Sequence, residues 1–315
     1  MTRSHMRTRV GMALGIAFFF AACALNSRQG ATTSKTAELW RSPADLEQRD
    51  LFSGPGGSEH APEVAARYEF LEVKQSGVSS GYDVQDTKGQ RWSVKLGVEA
   101  RTEIVVSRVV WAVGYYQPFV YYVPRWTLVH GGSDSVFAGS RFRLEPVTQD
   151  KRGEWSWRKN PFIGTRELAG LYVLMVLFNN WDLKTAQNAI YEVAENGDQA
   201  QTWYMVRDLG ASLGKSAWFT FGTKDDVTGF ERERFITSVE GNRVRFAFEG
   251  GWMEPQLQTS VTPADVRWIC GLLARLSEKQ WSDAFRAGGY SEKEAERFIR
   301  RLRDKVKEGL KAGAT

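Results

Sequence analysis

The sequence predicts an α+β chain of two lobes, a small antiparallel β lobe carrying one helix and a larger, mainly helical lobe. Three observations lead there. Between Tyr68 and Gly97, the runs YEFLEVKQ, GYDVQD and QRWSVKLG are separated by a Gly/Ser loop and a Thr-Lys-Gly turn, the pattern of a three-stranded meander. The next segment, EARTEIVVSRVVWAVGYY, carries Ile104, Val105, Val109, Val110, Trp111 and Val113 at helical spacing, and Gly114 offers a stop. The second half is punctuated by helix caps at Thr165, Thr262 and Ser291.

The elements follow in order. Arg3, Arg7 and Arg9 precede the apolar run VGMALGIAFFFAACAL, which is too short for a permanent span and suits an export signal. It ends in Phe20-Ala21-Ala22-Cys23, small residues before a Cys, which resembles the lipobox of bacterial lipoproteins. That resemblance implies a signal peptide over residues 1–23, lipid on Cys23 and membrane attachment through it. Ala24 in place of Asp implies the outer membrane, facing the periplasm, within the cell envelope. A plain signal peptide cut at the Ala-rich site is the alternative. Residues 24–66, with PGGSEHAPE at their centre, are expected to be a flexible linker. The β lobe is expected over 67–150, with FVYYVPRWTLV and SRFRLEPVTQ as further strands after the helix.

The helical lobe is expected over 151–315. Thr165 caps a helix through RELAGLYVLMVLFNN, apolar on nearly every side and so expected at the lobe's centre. Strands NAIYEV and TWYMVRD follow around an Asn-Gly turn, then a polar stretch with some strand character to about Gln258. Thr262-Pro263 and Ser291-Glu292-Lys293-Glu294 open the closing helices. In the last of them, Phe298, Ile299, Leu302, Val306 and Leu310 form a core stripe, and the many Lys and Arg are expected on a solvated face.

Composition narrows the function. With 42% hydrophobic and 25% charged residues the chain is not a disordered one. Its net charge of +5 comes from scattered basic residues without a basic stripe of interleaved aromatics, so nucleic acid is not an expected partner. Three His, one of them ahead of the apolar run, leave few members for a zinc site or a hydrolase triad. Gly77-Val78-Ser79-Ser80-Gly81 matches G-x-S-x-G, but a strand pattern follows where a nucleophile elbow needs a helix. Cys270, on the apolar face of DVRWICGLLARL, is expected to be a buried structural thiol. Trp155, Trp157 and Phe162 suit either a sugar platform or, the stronger expectation, packing at the joint between lobes.

Five polar residues carry the chemistry by their joint order. Lys95 closes the third strand, Glu103 lies one turn into the next helix, Asp182 and Asn188 follow the buried helix, and Asp208 ends a strand before Leu209-Gly210. Singly, each has a plainer explanation as a surface lysine or a turn. Together they suit phosphoryl transfer, which needs a positioned ammonium on the phosphates, a carboxylate to fix it, an Asp for the acceptor hydroxyl and hard oxygens for a divalent ion.

The order resembles the protein-kinase-like superfamily, nearer to HipA-type and secretory-pathway kinases than to typical eukaryotic ones. The chain also resembles uncharacterised bacterial envelope lipoproteins sharing its GYDV, WSVKLG, WAVGY, NNWDLK and DLG segments. By that resemblance, Lys95 is the phosphate lysine and Glu103 its partner, with Glu99 a possible substitute. Asp182 is the catalytic Asp with Lys184 its helper, and Asn188 and Asp208 hold Mg²⁺ or Mn²⁺ beside a nucleoside triphosphate. Gly77 and Gly81 cover the phosphates. Asn180-Trp181 stands where the family has His-Arg, Asn188 falls six residues after Asp182 instead of five, and Leu209 replaces Phe. The resemblance implies a phosphotransferase acting on an envelope protein or glycan. A kinase-like module that binds a ligand or protein is the second expectation, since export removes an obvious nucleotide supply. Metal-dependent phosphoester hydrolysis, the third, leaves Lys95 and Glu103 without a task.

Overall fold

A computed structural model of the chain describes residues 37–74, 80–145, 149–193, 201–217, 222–250 and 260–314. Cys23 and Gly77 lie outside the described residues, as does the expected signal segment, residues 1–23. The described residues all fall in one compact unit, and no helix among them is long and apolar enough to cross a membrane.

The expected meander forms as β2 (Arg67–Val73), β3 (Gly81–Gln85) and β4 (Arg91–Lys95). Two longer strands, β5 (Val120–His130) and β6 (Ser133–Leu144), follow the helix. Together they close into a barrel in the order β2-β3-β4-β6-β5, with β2 and β5 meeting in parallel. Closure leaves no free strand edge, and period-two alternation sorts the side chains. Tyr68, Val84, Trp92, Val94, Trp126 and Phe142 fill the interior, which leaves Ser93 and Lys95 on the opposite face of β4.

Helix α1 (Glu99–Ala112) follows β4 across Gly97 and is buried on most of its surface. It ends where Gly114 takes a φ of 104°, and a Cβ there would lie 2.3 Å from the Arg41 carbonyl oxygen. The Val105, Val106, Val109 and Val110 side chains join the large core that also contains the second half of the chain.

One expectation is corrected. Residues 37–66 are not a flexible linker. Leu39, Leu46 and Leu51 are buried in the main core, and β1 (Ala37–Glu38) pairs with a strand of the second half. Pro and Gly signal here a tight turn instead of slack: Gly54 sits so close to Arg108, and Gly56 to Tyr121, that a Cβ would meet either side chain within 2.3 Å. Across the expected lobe boundary at 150/151 runs a single strand, β7 (Gln149–Gly153), which pairs with β8 (Asn188–Val193). With β9 (Gln201–Val206) these make a sheet in the order β1-β9-β8-β7.

Helix α2 (Arg166–Leu177) begins as expected, with the Thr165 hydroxyl accepting from the Leu168 N–H at 3.2 Å. Such a cap contributes ~1 kcal/mol. Nearly every α2 residue from Leu168 is buried, so the chain leaving its C-terminal end is firmly placed. A short α3 (Val227–Arg232) and the hairpin β10 (Ile236–Glu240) and β11 (Arg243–Phe246) occupy the polar stretch. Three helices close the fold: α4 (Pro263–Ala274), α5 (Glu278–Ala287) and α6 (Glu292–Leu310), each opened by a reciprocal capping box.

Helix α6 departs from expectation at one basic position. Lys305 is fully buried, donating to the Leu177 carbonyl at 2.9 Å and to Asn179 Oδ1 at 2.8 Å. Both acceptors lie at the C-terminal end of α2, where carbonyls lack helical partners and a cation is favoured. Trp155 and Trp157 are buried, with relative exposures of 2% and 1%, so they pack as core and offer no open sugar platform. Cys270 is buried as well, and burial pushes its thiol up to about 12.

Candidate functional site

Strand β4 delivers Lys95 at its last residue, and α1 delivers two carboxylates to meet it. The Lys95 ammonium lies 3.0 Å from Glu103, 3.1 Å from Glu99 and 2.6 Å from Asp208. Glu99 and Glu103 are one helical turn apart and so share a face of α1. The structure therefore keeps both candidates for the lysine's partner. Glu103, 1% exposed, is also held at 2.9 Å by Arg141 from β6, the strand next to β4. Glu99 bonds in addition to Lys224, beyond the Asp-Leu-Gly segment.

Burial alone would discharge this cluster, and its own contacts oppose that. Desolvation works against the Lys95 charge, but Glu103, Asp208 and Glu99 outweigh it and hold the ammonium above its ordinary value. Desolvation likewise works against the Asp208 carboxylate, and Lys95, with the Gly210 N–H, drives it well below the usual aspartate range. Glu99 is lowered for the same reason by Lys95 and Lys224.

Asp208 follows β9, and its loop is pinned to α1. The Gly210 N–H donates to Asp208 Oδ1 at 3.1 Å, and Thr102 of α1 donates to the Gly210 carbonyl at 2.7 Å. A side chain at Gly210 would collide with Glu99, its Cβ lying 2.7 Å from that of the glutamate. The glycine is thus a close-approach residue that lets the loop lie against the helix.

Asp182 is carried by the chain leaving α2. Asn179 takes a positive φ of 54°, and its amide donates to the Gly214 carbonyl at 2.7 Å. Lys184 contacts Asp182 at 3.1 Å, and Gln187 donates to Asp182 Oδ2 at 2.7 Å. The carbonyl of Gln187 also accepts from the Asp208 N–H at 3.1 Å. One residue therefore links the two acids, and the cluster around Lys95 continues through Asp208 to Asp182. Gln187 was missed in the sequence, although it stands five residues after Asp182, the spacing that the resemblance called for. Its amide type and that spacing were the available signal.

Asn188 is the first residue of β8 and is 1% exposed. Its amide donates to the Trp155 carbonyl at 2.8 Å, while its Oδ1 is buried with no hydrogen-bond donor among the described residues. A buried acceptor left without a partner costs about 1–3 kcal/mol. A hard cation would satisfy that oxygen. Mg²⁺ keeps several waters and takes only one or two carboxylates besides substrate phosphates, so Asp208 and Asn188 suit it by oxygen type. No group of three or more His, Cys, Asp or Glu side chains suited to a metal occurs among the described residues. Gly81, at the start of β3, lies against the Val94 carbonyl, and the rest of its loop is outside the described residues.

No family model matches this chain, and no curated protein does either. Kinases are among the solved structures that overlay on it. The proinflammatory kinase CtkA of Helicobacter pylori is 10% identical, with a TM-score of 0.45 over 79% of this chain and 97% of that one. A Golgi casein kinase with Mn and ADP bound is 9% identical, with a TM-score of 0.39 over 80% and 74%. The Rio2 kinase from Chaetomium thermophilum, in a complex with ADP, Mg²⁺ and phosphoaspartate, is 12% identical, with a TM-score of 0.30 over 77% and 72%.

Proposed function

We propose that the protein is a kinase-like phosphotransferase of the cell envelope, anchored by lipid at Cys23 and acting on an envelope protein or glycan. One observation carries this reading: a buried lysine at the end of a barrel strand is fixed by helix carboxylates and faces the Asp of an Asp-Leu-Gly turn. A merely structural lysine is satisfied by one carboxylate. Here three converge on it, an arrangement that holds the ammonium charged and aimed until phosphate oxygens replace one of them.

Each residue then has a task. Lys95, held by Glu103, binds an inner phosphate of the donor. Asp182, oriented by Gln187, accepts the proton as the acceptor O–H bond breaks and its oxygen bonds to phosphorus. The bond from that phosphorus to the bridging oxygen breaks, and the leaving phosphate keeps the electron pair. Lys184 neutralises charge on the transferring group. Asp208 and Asn188 would hold Mg²⁺ or Mn²⁺, which when bound offsets phosphate charge.

The test is thermal stabilisation and phosphoryl transfer with Mg²⁺ or Mn²⁺ across a panel of nucleoside triphosphates. Lys95→Met and Asp208→Ala are each expected to abolish transfer. Activity that survives Lys95→Met would sink the proposal and favour hydrolysis. Palmitate labelling lost in Cys23→Ser tests the anchor.

A second reading has its own support. Asp182 is engaged by Lys184 and Gln187, and Asp208 by Lys95 and Gly210, as in a module that binds without turnover. Metal-dependent nucleotide binding without transfer would favour it.

A further inference from the structure

The barrel face beside Lys95 has a composition that phosphoryl transfer from a nucleotide does not explain. Strand register places Asp83 of β3 next to Ser93 of β4, and Ser93 next to Arg143 of β6. One rung on, Gly81, Lys95 and Arg141 are aligned in the same way. Alternation puts both rungs on the face turned away from the barrel's apolar interior. Lys74, which leaves β2, reaches the same place: its ammonium bonds to Ser93 Oγ and lies 3.3 Å from Asp83.

Arg143 is the unbalanced member. It is 6% exposed, and its one hydrogen bond among the described residues is to Ser93 Oγ at 3.2 Å. No carboxylate pairs with it among them, whereas Arg141 has Glu103 and Lys74 has Asp83. Burial, with Arg141 and Arg207 nearby, brings Arg143 down to about 9, and the Glu103 charge, already paired with Arg141, opposes this only in part. Burial, with Arg143 and Arg141 nearby, brings Lys74 down to about 8. A buried guanidinium without a counter-ion is costly, and the cost is recovered when an anion arrives, bidentate on the guanidinium fork.

A flat, apolar base gains from apolar and aromatic walls, and this rung offers Lys74, Asp83, Ser93 and Arg143 instead. We infer that this face is a second anion subsite, so that the ligand of the Lys95 crevice is a polyanion with phosphate groups on both rungs, of the polyphosphate class, and is not held by a purine base. The two rungs are two strand residues apart, ~7 Å at the usual rise, a span that a linear polyphosphate bridges. The inference rests on the reading of Lys95 and Asp208 as phosphate-facing, and it narrows the donor to one recognised through its phosphates. It also suits an exported protein, for which a nucleotide pool is not implied.

The experiment is calorimetric titration of the full chain with inorganic tripolyphosphate, ATP and adenosine, each with Mg²⁺, repeated on Lys74→Gln, Arg143→Leu and Lys95→Met. Tripolyphosphate is expected to bind at least as tightly as ATP, and adenosine not to compete. Lys74→Gln, at a partly exposed side chain that leaves the core intact, is expected to weaken tripolyphosphate about tenfold, the loss of one charge-assisted bond. Arg143→Leu is expected to weaken it at least as much, with a circular dichroism melt reporting whether that variant folds. Competition by adenosine, or tripolyphosphate affinity lowered by Lys95→Met but unchanged in Lys74→Gln, overturns the second subsite and leaves the phosphotransferase reading standing. Tripolyphosphate and ATP both failing to bind would overturn the two together.

Discussion

Removing the ammonium of Lys95 is the sharpest test of the site as built. Lys95→Met keeps the length of the side chain and deletes the charge that three carboxylates share at 2.6–3.1 Å. Breaking a buried pair by deleting one partner costs about 3–5 kcal/mol, because the survivor is left charged and undersolvated. Two of the three acids keep a second cation, Glu103 through Arg141 and Glu99 through Lys224. Asp208, with its side chain 25% exposed, bears most of the loss, which places the expected cost near the lower bound, about 3 kcal/mol. At roughly 2 °C per kcal/mol for a chain of this size, the melting temperature falls by about 6 °C. Urea denaturation and a thermal melt measure both. Adding Asp208→Asn removes the orphaned charge, so the double variant is expected to recover at least half of the loss. A single variant that melts within a degree of the parent, or a double variant no better than the single, would refute the account of Asp208 as the strained partner.

Other expectations follow from the same contacts. The Asp208 carboxyl is held below its ordinary value of 3.8, so the stability it contributes is present above that pH and lost as pH falls through the folded value. Urea titrations on the acid side are expected to show a shallower loss in Asp208→Asn than in the parent; parallel slopes would contradict this. Lys74 lies at about 8 when folded against 10.5 when free, so the unfolded chain binds the extra proton between those values and stability rises with pH across that window. Lys74→Gln should remove that rise, and in the parent an amine-acylating reagent at mildly alkaline pH should modify Lys74 ahead of surface lysines. Gln187→Leu removes the shorter of two hydrogen bonds to Asp182 Oδ2, leaving Lys184 at 3.3 Å, and is expected to lower kcat about tenfold, the worth of a hydrogen bond to a charged group, with KM unchanged. A raised KM with kcat unchanged would make Gln187 a binding residue. Thr165→Ala removes the α2 cap and should cost ~1 kcal/mol in urea unfolding without altering the pH dependence of stability.

Much of this molecule was legible in its residues because local chemistry decides it. Alternation drew the barrel strands, helical spacing drew α1, and the Thr165, Thr262 and Ser291 caps marked their helices where the structure has them. Lys95, Glu103, Asp182 and Asp208 were legible because each sits at an element's end or on a helix face, where sequence position fixes direction. Burial against distant partners had no such local signal. Gly54 and Gly56 read as slack until Arg108 and Tyr121 are seen packed on them, and Lys305 read as solvated until the α2 carbonyls are seen to receive it. Which amide faces Asp182 depended on the turn at Thr185–Gln187 before β8, and the want of a carboxylate paired with Arg143 among the described residues on three strands brought side by side. Periodicity and caps act over a few residues and are written in the chain; the balance of charge in a crevice is a sum over segments remote in sequence, which only the closed barrel brought together.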